Sequence, residues 1–133
     1  MRTKFVVVIA AVVLLASAGR VVAHHSFSAE FDASKPFKMT GAVTKVEWMN
    51  PHTFFYIDVT DEKTKKVTNW AMEMGSPNGL MRQGWSRNTM KIGDQITVEG
   101  SMAKDGSPTG NARSVMTAEG KRLFAASSQG TNP

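Results

Sequence analysis

The chain has 133 residues, no cysteine, and 16 basic against 11 acidic residues, a formal net charge of +5. Without cysteine there is no disulfide framework, thiolate metal site or thiol nucleophile. The charge does not indicate a nucleic-acid partner: Arg2, Lys4 and Arg20 lie in a leader-like segment, and without it 13 basic residues face 11 acidic ones, too few and too dispersed for phosphate tracking.

The leader carries Arg2 and Lys4, then an unbroken apolar run of eleven residues from Phe5 to Leu15, then small residues. The run is too short for a stable bilayer anchor, and the layout is that of a secretory signal peptide. Cleavage fits after Ala18 or after Ala23. The second site is preferred, because the first leaves Arg20 near the new terminus. The organisation is therefore read as a signal peptide over 1–23, an arm over 24–36, a domain over 37–124 and a loose tail over 125–133. No second apolar run reaches membrane length, so a periplasmic or secreted protein that does not insert in the membrane after cleavage is expected. The remaining 110 residues suffice for one core without staples.

Residues 26–36 read as an arm or a short helical turn, closed by Pro36. A first strand is expected over Phe37–Trp48. Phe37 and Met39 share one parity, Val46 and Trp48 the other, and Gly41 marks the slip as a bulge. Pro51 then forces a corner at Trp48-Met49-Asn50-Pro51-His52. Thr53–Thr60 alternates as a second strand, Phe55 and Ile57 against Phe54 and Tyr56, and which set faces inward is left open. The segment around Lys63, Lys65 and Lys66 is a hairpin tip. Val67–Met74 is a third strand with Trp70, Met72 and Met74 on its apolar side. Ser76-Pro77 starts a helix over Pro77–Gln83 that stops at Gly84. Strands over Gln95–Met102 and Asn111–Thr117 follow, separated by a loop over Lys104–Gly110, and a short strand runs through Phe124. Three strands, a short helix and two strands is the order of an OB-fold, so an all-β five-stranded Greek-key barrel with a small helical contribution is predicted. Trp48, Phe55, Ile57, Trp70, Met72, Ile96 and Val98 should be mostly buried. A seven-stranded sandwich without a helix is the alternative.

His24-His25-Ser26-Phe27, Glu30-Phe31-Asp32, Glu47-Trp48-Met49-Asn50-Pro51-His52, Asn69-Trp70-Ala71, Gly75-Ser76-Pro77-Asn78 and Arg82-Gln83-Gly84-Trp85 together resemble a family of small exported bacterial proteins known only as a domain of unknown function. The resemblance implies an exported OB-like domain and no activity.

The three histidines carry the available chemistry. If the chain begins at His24, its free amine and imidazole can chelate one ion, and His25 or His52 can add a nitrogen, a set that suits copper(II). Against this stand a histidine at the end of an arm and a His52 that only fixes its corner. Eight methionines follow the leader. Met72 and Met74 read as core, and Met49 beside the corner is the one thioether placed to matter for copper(I). No nucleophile elbow, phosphate loop or dinucleotide fingerprint is present, and Glu47 reads as an outward strand residue rather than a base, so no catalytic residue is assigned. A non-catalytic module binding a small ligand or an envelope protein is the expected function, with Trp48, Asn50, Phe54 and Tyr56 as its candidate surface. A copper-binding protein using His24, His25 and His52 is the alternative.

Overall fold

A computed structural model describes residues 27–126. In chain order the elements are α1 (Phe27–Glu30), β1 (Phe31–Glu47), β2 (Phe54–Thr60), β3 (Val67–Glu73), α2 (Pro77–Arg82), β4 (Gln95–Ala103), β5 (Thr109–Thr117) and β6 (Arg122–Phe124). Strand neighbours run β3-β2-β1-β4-β5-β6, and β3 pairs additionally with β5. That last pairing is parallel and the rest are antiparallel. The hydrogen bonding therefore returns on itself in the order β1-β2-β3-β5-β4-β1, the barrel-like ring expected of an OB-like connectivity. β6 is a sixth strand attached to β5.

The long first strand serves both sides of the ring. Residues 31–42 pair with β4 and residues 42–47 with β2. Phe37, Gly41 and Val43 are buried on odd positions, and Val46 and Trp48 are partly buried on even ones. The expected slip in parity is real, but it falls between Val43 and Lys45, not at Gly41. Gly41 stays in register opposite Ile96. It serves a close crossing instead: a Cβ there would collide with the Asp58 carbonyl oxygen.

β1 also begins six residues earlier than the spacing predicts. Phe31 is buried and pairs with Ala103, so it belongs to the sheet and not to an arm lying on it. Pro36 does not end the segment, because the ladder shifts register between Asp32 and Pro36. Within that shift Ser34 donates its N–H and its hydroxyl to Asp32 Oδ1 at 2.9 and 2.6 Å, an Asx-type turn that replaces ladder bonds. β5 likewise starts at Thr109, because Ala71 of β3 supplies it with a parallel partner.

Phe55, Ile57, Met72, Leu80 and Val98 are fully buried, and Ile96 nearly so. Phe55 and Ile57 thus face inward, with Phe54 and Tyr56 outward. Trp48 and Trp70 depart from expectation: both are half-buried at the edge of the core, Trp70 with its ring 6.5 Å from that of Phe37. The first residues of the expected loose tail are core as well. Ala125 and Ala126 are buried, and Ala125 accepts from Gly75 N–H and donates to Arg113 C=O. The rest of the tail lies outside the described residues.

α2 forms as its start signal predicts. The Ser76 hydroxyl accepts from Gly79 N–H at 3.2 Å, Pro77 occupies the first turn and Leu80 enters the core. Ser76→Ala should lower stability by about 1 kcal/mol, and Ser76→Gly by only a few tenths. Urea unfolding measures both, and coincident alanine and wild-type curves would remove the cap from the account.

Candidate functional site

Six residues separate the long β1 from β2 at the corner. Asn50-Pro51 is a cis peptide, and Thr53, fully buried, is tied to the end of β3 on both sides: its N–H donates to Gly75 C=O at 3.0 Å, and its C=O accepts from Met74 N–H at 2.8 Å. These bonds set His52 beside the end of β3. Phe54 is paired with Glu73, so on this outer face His52, Phe54 and Glu73 are neighbours. His52 Nδ1 lies 3.9 Å from Glu73 Oε1. That nitrogen is buried and has no hydrogen-bond partner among the described residues.

An outward carboxylate on a strand is ordinarily solvated, yet Glu73 is only 7% exposed. It lines a groove of about 590 Å³ whose walls also include Phe31, Phe54, Lys104 and Thr109. α1 and the β4–β5 loop border the groove at this end of the β2–β3 face. They are joined there by Lys104, whose N–H donates to Glu30 C=O at 2.9 Å and whose ammonium donates to Ser28 C=O. The groove carries three carboxylates, Glu30, Glu73 and Asp105, against the single ammonium of Lys104. Asp105 stays ionised well into acid, because the Ser107 hydroxyl and N–H hold its pKa below the ordinary range. The field in the groove favours a cation.

A sequence model described as a family of unknown function, DUF6152, matches residues 11–113. The chain belongs to that family. No curated protein matches it in sequence. Family membership thus agrees with the resemblance carried by the Trp-Met-Asn-Pro-His corner and its companion motifs, and it brings no activity with it.

The other candidate residues of this family member separate. Tyr56 is engaged. Its hydroxyl donates to Glu47 Oε2 at 2.8 Å, Lys45 Nζ stands 5.2 Å from its ring centroid, and Lys45 also pairs with Glu47. The hydrogen bond to Glu47 raises the Tyr56 pKa, and Lys45 followed by Tyr56 lowers that of Glu47. A carboxylate so stabilised is a poor proton acceptor, as its reading as an outward strand residue implies. Trp48 packs on the core edge, and Asn50 and Met49 are exposed at the corner. Of that candidate surface, Phe54 lines the groove and Tyr56 belongs to the charged ladder. His24 and His25 lie outside the described residues. Among the described residues no three His, Cys, Asp or Glu side chains group as a metal site, and no helix is long and apolar enough to cross a membrane.

Glu73 is the residue that sequence reasoning missed. Between Met72 and Met74 it reads as an ordinary outward position. The pairing of β3 with β5, and α1 held against the β4–β5 loop, give it surroundings that its own strand does not reveal.

Proposed function

We propose that the protein is an exported, non-catalytic binding module of the cell envelope whose ligand is a cation, copper(II) foremost. The observation that carries this reading is the buried imidazole nitrogen of His52 facing Glu73 at 3.9 Å, beside an acid-lined groove. Two features support it further. The leader has the layout of a secretory signal, and Ala29, Glu30 and Phe31 border the groove, so the chain leads back from the groove's own edge towards His24 and His25. His25 is two residues before Phe27 and His24 three, a reach of up to about 10 Å at roughly 3.3 Å per residue. With His24 as the first residue, its amine and imidazole, together with His25 or His52, supply the nitrogen set that copper(II) favours.

The test is copper(II) titration of protein beginning at His24, of protein with one extra N-terminal residue, and of His52→Ala, with the start of the exported protein established by intact mass. The processed form should bind at micromolar metal, and both changes should weaken it. Ligating nitrogens must be deprotonated, so affinity should also fall as the solution is acidified. Equal binding by all three proteins, or none at micromolar metal, would overturn the copper reading.

A further inference from the structure

We infer that Glu73 is itself a metal ligand, and that it and the Nδ1 nitrogen of His52 form a preset half-site on the barrel wall. This deepens the copper reading and rests on it: beside the nitrogens that reading draws on, the barrel-like ring itself contributes an oxygen as well as a nitrogen. Such a site takes a borderline divalent cation, copper(II) or zinc(II), through mixed imidazole and carboxylate donors.

The backbone places the two residues side by side. The two bonds from Thr53 to residues 74 and 75 lock the corner to the end of β3, and the Phe54–Glu73 pairing places the carboxylate one step along the same face. The resulting 3.9 Å separation is too long for a hydrogen bond. It is near the separation that one shared ion imposes: ligand atoms about 2.0–2.2 Å from a tetrahedral centre stand roughly 3.3–3.6 Å apart. A shift of under about 1 Å would close the pair on a metal. A buried imidazole nitrogen without a hydrogen bond is costly, and a metal bond satisfies it. Nδ1 is itself buried and the Glu73 side chain keeps only 9% of its surface in solvent, so a bound ion would be enclosed and backed by a covered anion. A simple ion pair that braces the corner is the competing account, and it makes a different prediction about which ring nitrogen meets a metal.

Zinc(II), being diamagnetic, is the probe for that question. In protein beginning at His24, long-range proton–nitrogen correlation spectra should show the His52 Nδ1 resonance moving on addition of zinc(II) while Nε2 stays protonated. Glu73→Gln should reduce copper(II) affinity by at least the roughly 10- to 100-fold typical of disturbing even an outer-shell partner. Ligation through Nε2, or an unshifted His52, would overturn the inference, as would a folded Glu73→Gln protein that binds as tightly as wild type. If Glu73→Gln fails to fold, the zinc(II) spectrum of the unsubstituted protein decides alone. The N-terminal extension separates the two readings. If it abolishes binding and Glu73→Gln does not, the terminal chelate stands and Glu73 is only structural. If Glu73→Gln weakens binding and the extension does not, the half-site stands and the terminal chelate falls.

Discussion

Phe55→Ala should destabilise the domain by roughly 3–5 kcal/mol, the usual cost of truncating a fully buried phenylalanine. Phe55 has no exposed surface. It faces Val46 of β1 on one side and Met72 of β3 on the other, at the point where three strands of the ring share one layer of side chains. Removing the ring takes away its transfer free energy and leaves a cavity that three hydrogen-bonded strands cannot collapse to fill. At about 4–8 °C per kcal/mol for a domain of this size, the melting temperature should fall by more than about 12 °C. Phe54→Ala is the internal control. Phe54 is half-buried on the outer face and lines a groove, so its loss should cost distinctly less. Thermal unfolding of both followed by circular dichroism decides the matter. Equal losses, or a larger one for Phe54, would mean that the two faces of β2 have been assigned the wrong way round.

A substitution that adds one methyl group should be nearly as damaging. Gly100 lies where β4 is held between two neighbours, opposite Phe37 of β1 and Ala112 of β5. The register between β4 and β5 shifts between Glu99 and Gly100. A Cβ at Gly100 would fall on the Asn111 carbonyl oxygen, with the Asn111 carbonyl carbon at 2.9 Å and Phe37 Cζ at 3.1 Å. The ring of Phe37 could turn aside, but a strand carbonyl can retreat only by breaking the ladder. Overpacking ordinarily costs about 1–3 kcal/mol. A backbone collision puts Gly100→Ala at or beyond the upper end, about 3 kcal/mol or more. Gly106, in the β4–β5 loop, has a φ of +77° and open space around a Cβ, so Gly106→Ala should carry only the left-handed backbone cost of roughly 1–2 kcal/mol. Urea midpoints rank the two, and a Gly100→Ala protein at the wild-type midpoint would show that β4 and β5 do not cross this closely.

Both experiments bear on how the half-site is held, because His52 and Glu73 depend on the same ring. Phe55 stands one residue after Phe54, and Gly100 lies on the strand that closes the circuit through β5 to β3. A variant that loosens the ring should therefore lose metal affinity together with stability. Glu73→Gln should lose affinity out of proportion to any loss of stability.

What could be read from the sequence was whatever depends on neighbours along the chain. The alternation from Phe54 to Asp58 defines a strand with two unlike faces. Ser76-Pro77 defines a helix start, because the cap and the missing N–H act within one turn. Asn50-Pro51 defines a corner, because proline constrains its own backbone and that of the residue before it. The parity slip in β1 was legible too, though its position was not: glycine permits a bulge without requiring one, and at Gly41 the absent side chain answers to Asp58, seventeen residues away. The tertiary structure decided what depends on residues far apart. Trp48 and Trp70 have the chemistry of core residues, but the closed ring leaves both half-buried at the edge of its core. Ala125 and Ala126 carry no periodic signal and are buried because Gly75 and Arg113 bond to that stretch. Glu73 resembles any outward strand carboxylate until α1 and the loop after β4 are brought round the same groove. His52 resembles a turn histidine until the bonds from Thr53 to residues 74 and 75 set it against that carboxylate. Local pattern specifies which way a side chain points from its own strand, whereas the closing of the ring specifies what it meets there.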